Sequence, residues 1–218
     1  MIKLIFNSNN NLFVMKKMLF VLICVFAILI GLYPLIYVFV DHKHTFLNSK
    51  DPEILHSLIW KILFFAHISF GGLSLLIGWR QFGENFRKRH PKFHKKIGIT
   101  YILSVVISST SGIYIGFFAN GGWISASGFI CLGLIWFCTT LKSFLEIKKN
   151  NIINHQNLMT YSYACTFAAV TLRLWFPLLK SLTGDPQISY LIVAWLCWIP
   201  NLIVAYFVNR SREVILKN

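Results

Sequence analysis

Acidic residues are scarce in this chain of 218 residues. Asp and Glu together number 7 against 21 Lys and Arg, and only 13% of the residues are charged while 56% are hydrophobic. All the carboxylates fall in expected loops or tails: Asp41, Asp51, Glu53, Glu84, Glu146, Asp185 and Glu213. A mean hydropathy of +0.63 lies well outside the range of soluble domains. The composition therefore predicts an integral membrane protein.

Signatures of several other protein classes are also missing. The apolar segments show no alternation of polar and apolar residues, which a transmembrane β-barrel requires. No G-x-S-x-G, H-E-x-x-H or phosphate-loop motif is present, so hydrolysis is not expected and the chain is at most a membrane redox component. The cysteines lie in apolar segments, where a thiol behaves as a small hydrophobe, so neither disulfides nor a zinc site is indicated.

Six apolar stretches are each long enough to cross the hydrocarbon core of a bilayer, which takes about 20 helical residues. A helix also satisfies its own backbone groups, as the bilayer requires. The sequence therefore predicts an all-α integral membrane protein in which residues 18–208 form a six-helix transmembrane bundle. The spans are expected near residues 18–40, 56–78, 97–119, 123–145, 159–179 and 188–208.

Lys and Arg gather on alternate connections of this bundle. They precede the first span, fill the segment 80–96, follow the fourth span and end the chain. This positive-inside pattern predicts N-in/C-in topology, with cytoplasmic tails at 1–17 and 209–218. Residue usage rich in Ile, Asn, Lys and Phe suggests a bacterial genome, hence the bacterial cytoplasmic (inner) membrane. Anionic lipid headgroups are the expected partners of segment 80–96, and no nucleic acid is expected despite the net charge of +14.

The first fourteen residues, MIKLIFNSNNNLFV, are rich in Asn and fit neither a helix nor a helix cap. Met15-Lys16-Lys17-Met18 has the form of an ordinary membrane-protein start. We therefore predict that translation begins at Met15, which N-terminal sequencing of the native product would test.

Arg173 lies in the apolar segment YSYACTFAAVTLRLWFPLL, with no acidic residue in any predicted span to neutralise it. A charge within a membrane helix costs at least ~2.5–3.5 kcal/mol on insertion scales, so it usually faces the interior and has a function. His67 is expected within about 6 Å of the depth of Arg173. Gly71 and Ser74 share the helix face of His67, and Thr166 shares that of Arg173. These five residues form the predicted ligand-binding site.

Two interpretations in which these residues bind no ligand stay open. Arg173 would instead snorkel past Trp175 toward Asp185 or Glu53 at the outer surface. The small residues of the second and third spans would serve only to bring neighbouring helices close together.

His94 and His155 are expected at matching depth, at the cytoplasmic ends of their helices. Two histidines that face each other across a helical bundle are the usual axial ligands of a b-type haem, with basic side chains beside the propionates. We therefore predict His94 and His155 as haem b ligands, with Lys92, Lys95 or Lys96 near the propionates. The alternative is a pair of solvated histidines at the membrane interface.

Three segments carry a family resemblance: HISFGGLSLLIGWRQF, RKRHPKFHKKIGITYI and HQNLMTYSYACTFAAVTLRLWFP. They resemble the uncharacterised bacterial membrane family catalogued as domain of unknown function 2306. Its pattern has a histidine followed by glycines and a QF pair, then R-x-R-x-P-x-x-H-R-x-x-G-x-x-Y, then H-R-x-W-M-x-R-S-Y-A leading into T-x-A-A-V-T-L-R. The resemblance extends from about His67 to Pro177. It covers His67, Gly71, Gln81, Phe82, Arg87, Pro91, His94, Gly98, Tyr101, His155, Met159, Ser162, Tyr163 and Arg173.

Four positions depart from the family pattern. Lys95, Gln156 and Tyr161 stand where the family has arginine, and Leu158 stands where it has tryptophan. The loss of two cations beside His155 argues against an anion clamp at that histidine. The resemblance implies six-helix topology and supports the choice of residues, but the family has no established activity.

Three functions are left open by the sequence. The first is a haem b protein that moves electrons across the membrane. The second is a small permease or sensor in which Arg173 holds an anionic ligand and His67 carries a proton, with a homodimer compensating for only six helices. The third is an accessory protein whose polar residues merely lock the helices together. Broken helices at mid-membrane would favour transport, and a wide cavity between the third and fifth spans would favour haem.

Overall fold

The computed structural model describes residues 2–41 and 45–217, without the side chains of residues 2–13, 16, 46 and 215–217. These residues are almost entirely helical, and no strand occurs among them. Short 3-10 turns at Tyr33–Leu35, Phe46–Ser49 and Trp79–Phe82 join some of the helices. The helices are α1 (Ile2–Gly31), α2 (Ile36–Phe39), α3 (Pro52–His56), α4 (Leu58–Gly78), α5 (Glu84–Arg89), α6 (Pro91–Gly116), α7 (Gly122–Lys148), α8 (Ile152–Thr166), α9 (Ala168–Thr183), α10 (Pro186–Leu196) and α11 (Ile199–Lys217).

Six helical stretches of the described chain are long and apolar enough to cross a membrane, which confirms the predicted fold class. The third and fifth begin earlier than expected, at Pro91 and Ile152, and the sixth runs on to Val214. Proline at a first helical position loses no hydrogen bond, so Pro91 can start the third span. The six stretches are Lys17–Phe39, Leu58–Phe82, Pro91–Gly116, Gly122–Lys148, Ile152–Thr183 and Pro186–Val214. The N-in/C-in orientation of the bundle stays a prediction.

The Asn-rich start was expected to be non-helical, and this expectation is wrong. α1 begins at Ile2, so residues 2–14 extend the first membrane helix. Extending a formed helix adds a hydrogen bond per residue without a new nucleus, which outweighs the low helix propensity of asparagine. Glu146 and Glu213, expected in a loop and a tail, likewise lie within the ends of α7 and α11. The start at Met15 stays a prediction.

Glycines allow the helices of the bundle to pack closely. A Cβ atom added to Gly72 of α4 would lie 2.6 Å from the carbonyl oxygen of Gly31 in α1. A Cβ on Gly128 of α7 would lie 2.8 Å from the carbonyl oxygen of Ala194 in α10. Because these neighbours are backbone atoms, which cannot turn aside, both positions require a residue without a side chain.

The fifth and sixth spans are each interrupted. Phe167 separates α8 from α9, and Cys197 with Trp198 separates α10 from α11. Pro200, which has no N–H to donate, follows the second interruption at the start of α11. Both interruptions lie within stretches that are long and apolar enough to span a membrane.

Polar side chains join the two interruptions. Asn201 Nδ2 donates to the carbonyl oxygens of Ala164 (3.2 Å) and Cys197 (3.0 Å), and Thr171 Oγ1 also donates to the oxygen of Cys197. Asn201 Nδ2 in turn contacts Thr171 Oγ1 at 3.1 Å. Interrupted helices persist in a bilayer only where their carbonyls find such partners, so the two breaks form one connected element.

Candidate functional site

A cavity of about 900 Å³ opens at the end of the bundle opposite segment 80–96 and extends into its middle. This volume is typical of a pocket for a small organic ligand. No Asp or Glu occurs among the described residues that line it. Aromatic side chains form much of its wall: Tyr33, Tyr37, Trp60, Phe64, Phe129, Trp136, Phe176 and Tyr190.

Arg173 lines this cavity from α9. Its Nη1 donates to the carbonyl oxygen of Ala169 (2.8 Å), and its guanidinium carbon lies 4.2 Å from the centroid of the Tyr33 ring, in cation–π geometry. No carboxylate of the described residues forms an ion pair with it, so the proposed route to Asp185 or Glu53 is not followed. A guanidinium has five N–H donors, and most of these are therefore left for a ligand.

His67 lines the same cavity and is held by Ser108 of α6. The His67 Nδ1 lies 2.8 Å from the Ser108 carbonyl oxygen, and Ser108 Oγ donates to the His67 carbonyl oxygen at 2.8 Å. A carbonyl oxygen can only accept, so Nδ1 must carry the hydrogen. Nε2 is therefore the ring nitrogen left to bind a ligand, a metal or a proton.

His155 is held by Ser143 in the same reciprocal arrangement between α8 and α7. The His155 Nδ1 lies 3.0 Å from the Ser143 carbonyl oxygen, and Ser143 Oγ donates to the His155 carbonyl oxygen at 3.1 Å. This contact also fixes Nδ1 as the donor and leaves Nε2 for another group. The molecule thus contains two histidines with the same enforced tautomer on two different helix pairs.

His94 differs from the other two histidines. Its Nδ1 is buried and has no hydrogen-bond partner among the residues the structure describes. The charges of Arg87 and His155 act on the ring. Neither His94 nor His155 lines the large cavity, so the predicted haem ligands and the predicted ligand-binding residues belong to different regions.

The remaining predicted site residues divide between cavity and packing. Gly71 and Thr166 line the cavity. Ser74 does not line it and instead donates to the carbonyl oxygen of Gly71 at 2.8 Å. Thr166 is also bound to the buried Tyr101 hydroxyl at 2.8 Å, so it connects the cavity to the polar core of the bundle.

Lys50, which the sequence analysis did not select, is a further cation of the cavity. It lies in the connection between the first two spans and is only 7% exposed. Its Nζ donates to the carbonyl oxygen of Phe118 and to Asn120 Oδ1 (2.8 Å), both in the connection after α6. In the sequence Lys50 stands directly before Asp51, and only the packing of two distant connections shows that it is buried at the cavity.

We expect the affinity for an anionic ligand to fall as the pH rises above about 8. Burial lowers the pKa of Lys50 to about 8, against the opposite effect of Asp51. Below that pH Lys50 is charged and attracts an anion, and above it the attraction is lost. The unfolded chain keeps this proton to higher pH, so stability without ligand should instead rise with pH over the same interval.

Affinity titrations on either side of pH 8 would measure this decline. Lys50→Arg is the control, because arginine stays protonated throughout and should abolish the decline. The same decline in Lys50→Arg would rule out Lys50 as its origin.

Comparison with known proteins gives a family but no activity. Residues 64–209, well over half of the chain, match the family described as "Predicted membrane protein (DUF2306)". The chain belongs to the DUF2306 family. No curated protein and no solved structure matches the chain. The matched region of this DUF2306 protein includes the predicted site residues His67, His94, His155 and Arg173, whereas Lys50 precedes it.

Proposed function

We propose that this DUF2306 protein binds an anionic amphiphile in its large cavity and acts as a small membrane permease or sensor for it. The observation that carries the proposal is the charge of the cavity. Arg173 and Lys50 line it together, with no acidic residue among its described lining. Two cations in a largely apolar pocket with several aromatic side chains suit a ligand with an apolar body and an acidic group.

The two cations would act at different places on such a ligand. Lys50 is held at the loop end by Phe118 and Asn120, whereas Arg173 lies on α9 beside Tyr33. His67 lines the same cavity from α4 and offers Nε2 as acceptor for a hydroxyl or a proton. A guanidinium can hold an acidic group by two parallel charge-assisted hydrogen bonds, which an ammonium cannot, so Arg173 is the expected anchor of the acidic group.

The interrupted helices support movement of the ligand rather than storage alone. α9 carries Arg173 and begins directly after the break at Phe167, and this break is bonded to that at Cys197 through Asn201. Discontinuous helices beside a central binding site are typical of secondary transporters. We propose that α9 tilts about this connected element when the cavity is occupied.

Matched amphiphiles test the binding step. The thermal unfolding midpoint of the detergent-purified protein would be followed with a fatty acid, the corresponding alcohol and the corresponding trimethylammonium compound. The fatty acid should raise the midpoint, since a ligand that binds only the folded state stabilises it. Equal effects of all three would indicate partition into the micelle and would contradict an anion site.

Haem b is the second candidate, as a transmembrane redox cofactor. The observation that favours it is the pair of contacts that fix His67 and His155, because ligating histidines usually donate their second nitrogen to a carbonyl or carboxylate. His67 with Arg173 and Lys50 beside the propionates would suit one haem. The pair His94 and His155, predicted from the sequence, would suit another.

Absorption spectra of the purified protein, oxidised and then reduced, distinguish the two candidates. A stoichiometric Soret band that disappears in His67→Ala, or in His94→Ala and His155→Ala, would establish a cytochrome and identify its ligands. We expect no such band after expression with added haem precursor if the cavity serves a colourless amphiphile. In that case the titration with the matched amphiphiles would decide whether the cavity binds an anionic ligand.

A further inference from the structure

Three buried polar atoms lack partners at the end of the bundle opposite the large cavity. Trp79 Nε1, Gln81 Nε2 and His94 Nδ1 make no hydrogen bond to any residue that the structure describes. The Gln81 side chain is especially well enclosed, since the residue is only 8% exposed. Buried polar atoms without hydrogen-bond partners are rare in native proteins, and a bound ion or water is one explanation for them.

Gln81 and His94 lie in one corner of the bundle. Gln81 belongs to the 3-10 turn Trp79–Phe82 that follows α4. A methyl group built on Gly98 of α6 would lie 3.7 Å from Gln81 Oε1, so the amide packs against α6. His94 is one turn before Gly98 on that helix, so it shares the same face.

Positive charge surrounds this corner. Arg87 Nη1 donates to the carbonyl oxygens of Gln81 and Phe82, both at 3.3 Å, which fixes the guanidinium on the turn that carries Gln81. Electrostatic interactions connect His94 with Arg87 and His155. The first turn of α6 has no side-chain cap, and the positive end of its dipole adds to the attraction for an anion.

The nearby acids are engaged with other groups. Glu84 acts on Arg87 but forms its ion pair with Lys88 at 2.8 Å, on the exposed side of α5. Glu213 accepts a hydrogen bond from Asn157 Nδ2 at 3.0 Å and acts on Arg212, a further cation in the field of Arg87. Neither carboxylate bonds to Gln81 or His94.

We propose that Gln81, Arg87 and His94 form a binding site for a phosphate-type oxyanion, separate from the large cavity. The Gln81 amide, the His94 ring and the guanidinium all offer N–H donors, and a phosphate oxygen would satisfy those that are buried and unpaired. This anion site is an alternative to the haem role of His94, whose Nδ1 has no hydrogen-bond partner of the kind that ligating histidines usually have. A phospholipid headgroup and free phosphate both supply this chemistry.

Two measurements separate these sources. Calorimetric titration of inorganic phosphate into protein in phosphatidylcholine nanodiscs reports free oxyanion binding. Native mass spectrometry of protein released from mixed phosphatidylcholine and phosphatidylglycerol nanodiscs reports headgroup retention. The variants are Gln81→Met and Arg87→Gln, with Arg89→Gln as control because Arg89 is an exposed cation on the same short helix, α5.

We expect Gln81→Met and Arg87→Gln to lower phosphate affinity, or the retained phosphatidylglycerol, at least tenfold, and Arg89→Gln to leave both unchanged. Gln81→Met should not lower the thermal midpoint without ligand, because it replaces an unpaired buried amide by an apolar group of similar size. A lower midpoint with unaltered binding would show that Gln81 only packs α4 against α6. Binding that is equal in all variants in both measurements would also overturn the site.

Discussion

Arg173→Ala should weaken binding of the anionic amphiphile about 100-fold while the protein still inserts and folds. Among the residues that the structure describes, the guanidinium at the cavity has no carboxylate partner and contacts the Ala169 carbonyl oxygen and the Tyr33 ring. Removing a charged partner from an enclosed site typically costs about 2–5 kcal/mol, and about 2.7 kcal/mol corresponds to two powers of ten in affinity. The measurement is the fatty acid dependence of the unfolding midpoint.

The ligand-free stability separates this effect from misfolding. Since a charge at membrane depth is itself costly, Arg173→Ala should unfold at the same temperature as the native chain or higher. Arg173→Lys should recover only part of the affinity, because an ammonium cannot reproduce the planar fork of donors. Arg89→Ala, outside the cavity, is the matched control. Undiminished fatty acid binding in Arg173→Ala would remove this residue from the site.

Gly112→Ala should destabilise the protein by about 1–3 kcal/mol, the usual effect of overpacking a well-packed interior. A Cβ atom at this position would lie 2.7 Å from Nδ1 and 2.9 Å from Cε1 of the His67 ring. The ring can only move away by giving up its hydrogen bond to Ser108 at 2.8 Å. We therefore expect loss of stability and a displaced His67 Nε2, measured as a lower midpoint and weaker ligand or haem binding.

A control on the same helix makes this prediction specific. At Gly98 the added Cβ would have only an ordinary contact, 3.7 Å from Gln81 Oε1. Gly98→Ala should thus be neutral or stabilising, since alanine is favoured over glycine in a helix by about 0.5–1 kcal/mol. In a His67→Ala background, Gly112→Ala should cost little, because the methyl group then fills vacated space. Equal losses in both backgrounds would show that the histidine is not what Gly112 accommodates.

Most of the residues selected from the sequence as ligand-binding lie at the large cavity, although their binding of a ligand stays a prediction. Arg173 and His67 were selected because charge and imidazole are costly in apolar helices, and the structure places both at one cavity. Gly71 and Thr166, chosen from helix periodicity, line it as well. Ser74 shares the helix face of Gly71 but donates to the Gly71 carbonyl oxygen and does not line the cavity. One helix face can border the cavity at one residue and pack against a neighbouring helix at the next.

Other residues show where such prediction ends. Lys50 was not selected from the sequence, yet it lies buried against residues 68 and 70 positions further along the chain. The Asn-rich residues 2–14 looked unsuited to a helix, yet they continue one. The cavity expected for haem is present, since the third and fifth spans both line it. The interrupted helices expected for transport are present as well, in the fifth and sixth spans. Because both features are present, our preference for an anionic ligand over haem depends on the positive charge of the cavity.

The sequence by itself determined that this is a six-helix membrane protein, because span length and apolar composition follow from bilayer thickness and the need for internal hydrogen bonds. It also determined which polar residues lie in the apolar helices. Only the tertiary structure decided which of these residues meet. Ser108 and Ser143 fix two histidine tautomers, and Lys50 joins Arg173 at one cavity. These contacts depend on how helices far apart in the chain are rotated and how closely they pack, and local sequence patterns do not determine either.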